Sequence, residues 1–133
     1  MKLTMLLSLA SLILAVFTPH AWATADDKFN GQLLKLDPIT RLEQTCDFEV
    51  MDKINREHRG FNADKVVAYT FENPLIEGDA ITAPGAAIRS KGEWYQLSYK
   101  CKTGPRHLDA QKLSHEIGAK IPHDEWAKYN LYD

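Results

Sequence analysis

The chain has 133 residues, 44% of them hydrophobic, with 16 Lys plus Arg against 18 Asp plus Glu, a formal net charge of −2. So short a chain buries one core, which excludes a two-lobed enzyme with a cofactor cleft between domains. Its basic residues are scattered through a slightly acidic chain, which argues against a nucleic-acid partner.

Residues 1–23 read as a signal peptide. Lys2 gives the positive start, Met5 to Phe17 is a short apolar run, and Ala21-Trp22-Ala23 has the small-x-small form of a cleavage site. Cleavage after Ala23 leaves Thr24 to Asp133, with 15 Lys plus Arg against 18 Asp plus Glu. No later apolar run approaches ~18 residues, so no stable membrane insertion is expected after cleavage. No cysteine stands beside the cleavage site to carry a lipid anchor. The expected location is the periplasm, an oxidising space in which the two cysteines, Cys46 and Cys101, default to a disulfide. A redox or nucleophilic role would need a Cys-x-x-Cys spacing or a base partner, and neither Cys has a His close in sequence.

Thr24 to Lys35 reads as a flexible lead-in with a turn at Asn30-Gly31, ahead of a single domain over residues 36–133. Asp37-Pro38 then opens a helix, Asp37 as N-cap and Pro38 in the first turn, running to about Glu57. Ile39, Leu42, Cys46, Val50 and Ile54 make its apolar stripe, with Arg41, Glu43, Asp47 and Lys53 off it. Lys65 to Phe71 reads as a strand with Val67, Tyr69 and Phe71 on one face. Leu75 to Pro84 reads as a connection with at most a short strand around Ile81. Ala86 to Arg89 is joined by a turn at Ser90-Lys91-Gly92 to the longest strand, Glu93 to Lys102. There Tyr95, Leu97, Tyr99 and Cys101 alternate with Trp94, Gln96, Ser98, Lys100 and Lys102. Cys46 and Cys101 thus each lie on the apolar face of their element, as a helix pinned across a sheet requires. Leu108 to Ile117 favours a fourth strand through Leu113, His115 and Ile117, with a helix as the alternative, and Gly118 is expected to end it. Pro122 opens a short helix from His123 to about Tyr129.

Leu36-Asp37-Pro38, Arg41-Leu42-Glu43-Gln44, Cys46-Asp47, Val66 to Tyr69, Ala83 to Ala87 with Arg89, Trp94-Tyr95 with Leu97, Tyr99 and Cys101, Ile117-Gly118, Ile121-Pro122 and Trp126 form a long string. It resembles the domain-of-unknown-function 930 family of exported alphaproteobacterial proteins, over Leu36 to Tyr132. The resemblance implies an envelope location and carries over no catalytic or binding residue.

The histidines His58, His107, His115 and His123 show no i, i+4 or i, i+2 pair, so neither metal nor cofactor is expected, although distant segments could converge. The carboxylates Asp37, Glu43, Asp47, Glu49, Asp52 and Glu93 read mostly as a solvated helix face. No nucleophile motif and no phosphate loop is present. Tyr69, Phe71, Tyr95 and Tyr99 fit a core face, each Tyr keeping its hydroxyl at the edge. Trp94 lies on the polar strand face and is either covered by Trp126 and Tyr129 or exposed as a stacking plate. In the second case Arg89, Gln96, Lys100 and Trp126 complete a binding surface.

The expected fold is α+β: an N-terminal helix across a three- to four-stranded antiparallel sheet, one disulfide, and a short C-terminal helix. The expected function is non-enzymatic binding in the cell envelope, to a protein partner or to a polymer such as peptidoglycan. The alternatives are a small envelope hydrolase using a carboxylate with His115, and an enzyme inhibitor presenting Asn73 to Pro84 as a protruding loop.

Overall fold

The computed structural model describes the backbone from residue 25 and side chains from residue 28 to the end of the chain, so the expected signal peptide lies outside the described residues. The helices are α1 (Ala25–Leu33), α2 (Pro38–Glu57) and α3 (His123–Trp126), the last continued by a 3₁₀ turn, Ala127–Tyr129. The strands are β1 (Ala63–Val67), β2 (Leu75–Glu77), β3 (Ala80–Ser90), β4 (Glu93–Thr103) and β5 (Ala110–Lys120). They form one antiparallel sheet in the order β1-β3-β4-β5, with β2 also paired to β3.

The long helix begins where its sequence says. The Asp37 carboxylate accepts from the Ile39 and Thr40 amides at 3.2 and 3.1 Å, and the Thr40 side chain first, with these amides, holds its pKa below the usual value. Its buried face is Leu42, Thr45, Cys46, Asp47, Val50 and Ile54. Ile39, counted in the apolar stripe, is exposed instead. Two polar residues complete the face, because each finds a buried partner. The Thr45 hydroxyl donates to the His107 carbonyl at 2.6 Å, and the Tyr99 hydroxyl donates to Asp47 at 2.6 Å. Opposite the stripe lie Ile81, Ala83, Ala86, Ile88, Leu97, Tyr99 and Cys101 from the sheet. The Cys46–Cys101 disulfide crosses this layer with its Cα atoms 5.9 Å apart, so helix and longest strand are joined as the two periodicities require.

Three segments differ from expectation. Residues 25–33 are helical through Asn30-Gly31, because the Phe29 ring packs on Phe48 of α2, 4.6 Å between centroids, and Leu33 is buried; tertiary contact outweighs the weak propensity of one glycine. The strand expected at Lys65 to Phe71 stops at Val67, and the chain turns outward through residues 68–74 before resuming as β2 on the same edge of β3. Tyr69, placed with the core tyrosines, is therefore 58% exposed. Pro84-Gly85 does not separate two strands but lies in a bulge between Ala83 and Ala86 inside β3. Within the segment read as a connection, residues 75–77 pair with 80–82 as the β2–β3 hairpin, so most of it is sheet rather than loop.

The C-terminal strand is a strand, as favoured, and runs through Gly118 to Lys120. Ile121 then donates its amide to the Trp94 carbonyl at 2.8 Å and redirects the chain across the sheet face opposite α2. There Trp126, Leu131 and Ile121 close over Ala87 and Trp94 in a second small core, with Val67, Phe71 and Tyr129 at its margin.

Candidate functional site

The second core decides the fate of the surface expected around Trp94. The indole is fully buried and its Nε1–H donates to the Tyr132 carbonyl at 2.9 Å. Trp126 is buried beside it, its own Nε1–H on the Ile121 carbonyl at 3.0 Å. Of the two readings of Trp94, packing holds, and the stacking plate is corrected: burying two indoles removes far more apolar area from water than an open plate would leave covered. Arg89 is engaged as well, forming a fork with Asp64 at 2.9 and 3.0 Å that holds the Asp64 carboxyl below its ordinary pKa. Gln96 and Lys100 remain exposed on the uncovered, polar half of that sheet face. The five residues therefore do not form one surface.

Three of the exposed aromatic groups gather elsewhere, while a fourth, Tyr132, lies beside Lys65. Phe29 of α1, Phe48 of α2 and Tyr69 after β1 are 37, 42 and 58% exposed, and all three line a groove of about 530 Å³ between α1, α2 and β1. Leu33, Leu36, Met51 and Val66 add to its apolar wall, and Gln32, Glu43, Gln44 and Asp47 supply polar groups. The volume lies within the range of small-ligand sites, and a mostly apolar lining with a few convergent polar groups is what such sites use. Sequence reading missed this groove, since it depends on the helical state of α1 and on the outward turn after Val67.

Two carboxyls one helical turn apart, Glu43 and Asp47, face the groove from α2. Burial pushes the Asp47 pKa up to about 8, against the opposing hydrogen bond from Tyr99, and the nearby Glu43 charge adds to the rise. Burial raises Glu43 too. Tyr99 is raised by its own burial first and by the Asp47 charge second. Near neutral pH the pair is held together as a neutral carboxyl accepting from a neutral phenol. The expectation of a solvated acidic face fails at Asp47, which lies one residue past Cys46 on the buried side.

The histidines separate into three environments. His107 is structural: its Nδ1 lies 2.7 Å from the Pro38 carbonyl and its Nε2 2.8 Å from Asp79, tying the start of α2 to the β2–β3 hairpin. His123 is on the surface, stacked on Trp126 and 2.9 Å from Glu93. His58 and His115, 57 residues apart, meet with their Nε2 atoms at 3.1 Å. Glu57 stands beside them, its Oε2 3.9 Å from His115 Nε2. Among the described residues these three form the one group of His, Cys, Asp or Glu side chains close enough to share a metal ion. Burial is the main force lowering the His115 pKa, opposed by the Glu57 charge.

No helix among the described residues is long and apolar enough to cross a membrane. Comparison with curated proteins and with solved structures gives no match. A family model does match, over residues 33–131, which spans α2, the whole sheet and the C-terminal helix. The resemblance carried by the Leu36 to Trp126 string is thereby established, and the chain belongs to the family described as Domain of Unknown Function, DUF930.

Proposed function

We propose that the protein is a non-enzymatic binding protein of the cell envelope, exported to the periplasm, and that it engages an envelope glycan such as peptidoglycan through the groove between α1, α2 and β1. The observation that carries this reading is the set of three exposed aromatic rings, Phe29, Phe48 and Tyr69, around one groove whose remaining wall holds carboxyl and amide groups. A sugar ring offers apolar C–H faces and a rim of hydroxyls. Aromatic faces take the first, while Gln32, Gln44, Glu43 and a protonated Asp47 accept from or donate to the second. Burial that pushes the Asp47 pKa up to about 8 lets its carboxyl donate as well as accept near neutral pH, which suits a hydroxyl-rich ligand.

The hydrolase alternative, a carboxylate acting with His115, has less support. His115 lies within reach of Glu57, but its side chain is 8% exposed and faces another imidazole. Cosedimentation with purified sacculi and titration with soluble peptidoglycan fragments test the proposal. Retention is expected, weakened about tenfold or more by Phe48→Ala or Tyr69→Ala; Phe48 also carries the Phe29 contact that seats α1, so Tyr69→Ala, at a 58% exposed position, isolates the groove. Absence of retention, or retention indifferent to both variants, overturns it, and release of shortened soluble fragments from the sacculi would assign hydrolysis instead.

A further inference from the structure

We propose that Glu57, His58 and His115 form a binding site for a divalent transition-metal ion of the zinc class, at the C-terminal end of α2 and separate from the groove. The donors come from two elements. Glu57 is the last residue of α2 and His58 its C-cap, whose backbone N–H is fixed on the Ile54 carbonyl at 2.8 Å. His115 projects from the middle of β5, paired across the sheet with Tyr99.

The geometry fits a shared ion. A tetrahedral centre with bonds of ~2.0–2.1 Å has donor–donor edges of about 3.3 Å. The two imidazole Nε2 atoms, 3.1 Å apart, already flank such a centre. The Glu57 carboxylate is within reach on an exposed side chain, all donor atoms lying within 4.8 Å of one another. Lys53 Nζ holds Glu57 Oε1 at 2.5 Å, leaving Oε2 as the oxygen near the histidines. The last turn of a helix also presents the negative end of its dipole to a cation.

A second observation points to the same place. His115 is more than nine-tenths buried as a side chain, yet its Nδ1 has no hydrogen-bond partner among the described residues. His107, by contrast, has a partner at each ring nitrogen. A buried imidazole costs desolvation, and this one recovers only part of it: its Nε2 shares a single proton with His58 Nε2 in one N–H···N contact at 3.1 Å, with Glu57 Oε2 3.9 Å away. An ion between the two Nε2 atoms takes both lone pairs at once, and each ring then carries its proton on Nδ1. Three protein donors leave at least one coordination position open to water or to another ligand. The Lys53 ammonium, a like charge on the far side of Glu57, and the lack of an acceptor for His115 Nδ1 both hold the affinity below that of a closed structural zinc site. Two imidazoles with one carboxylate suit zinc, copper and nickel, with copper the tightest.

Titration calorimetry of the disulfide-bonded protein with zinc chloride, in a non-coordinating buffer, is expected to give one ion per chain. His58→Gln is expected to weaken binding at least about tenfold and His115→Gln to abolish it, while His123→Gln leaves it unchanged. Electron paramagnetic resonance of the copper-loaded protein should show two nitrogen ligands, reduced to one in His58→Gln. His115 is buried, so folding of its variant is checked by thermal melting in chelator; His58 lies at the helix end, and its variant keeps the test decisive. No stoichiometric binding, binding that survives His58→Gln, or binding lost in His123→Gln overturns the site.

Discussion

Asp47 and Tyr99 show how a single proton couples burial to pH. The carboxyl is more acidic in the unfolded chain, near 3.8, than in the folded protein, where burial lifts it to about 8. Between these values the folded state binds the proton and the unfolded state does not, so stability is full at low pH and is lost as pH rises through about 8, by at most ~1.4 kcal/mol per pH unit. Asp47→Asn keeps an oxygen for the Tyr99 hydroxyl and removes the titration. Urea unfolding at pH 5 and pH 8 is therefore expected to show a smaller loss of stability in the variant than in the parent protein; an unchanged difference would mean that Asp47 is already ionised in the fold. The sequence placed Asp47 with the polar residues of α2 because aspartate is seldom buried. Its angular position beside Cys46 was the available signal, and it needed knowledge of where the Tyr99 hydroxyl ends.

At the level of elements, the limits of α2 and β4 were legible, while α1 and the break in the edge strand were not. Asp37, Pro38 and the Leu42, Cys46, Val50, Ile54 steps define α2 with local chemistry alone, and Pro122 marks the C-terminal helix, where it serves as N-cap. The edge strand broken between β1 and β2, by contrast, is a tertiary event. The connection passes beside β3 at the bulge, where Phe71 donates its amide to the Gly85 carbonyl at 2.8 Å. A Cβ on Gly85 would stand 2.6 Å from the Glu72 backbone nitrogen, so only glycine admits the close passage. Gly85→Ala is expected to destabilise the protein by about 1–3 kcal/mol, measured by denaturant unfolding, and to raise amide exchange in residues 68–74. A neutral effect would show that the passing segment can lift away freely. Local reading took Pro84-Gly85 as a strand boundary, since proline lacks the ladder N–H; a bulge is the exception in which that lack is harmless.

Over the whole molecule, the α+β layering and the helix-to-strand crosslink were readable because two independent periodicities converge on Cys46 and Cys101. Neither candidate site was readable in this way. The groove depends on how α1 and the turn after Val67 sit beside α2, and the histidine pair joins residues 57 apart, so no spacing rule reaches them. The same long-range character makes the disulfide important to stability. Its cysteines are 55 positions apart, and in the chain-entropy model closing a loop of that length contributes roughly 4 kcal/mol, much of what a small domain possesses. Reduction is expected to lower unfolding stability by about 2–5 kcal/mol, read as a shift of the urea midpoint with and without reductant. A shift near zero would show that the two layers hold together by packing alone.

That crosslink also simplifies assembly. With two cysteines in the whole chain, no mispaired isomer can form within one molecule. Cys46 emerges first from synthesis and waits for Cys101, near the end of β4, before any bond can close. The wrong product open to the chain is therefore a covalent dimer, whose yield depends on concentration, so maturation calls for an oxidant and dilution rather than for an enzyme that reshuffles bonds.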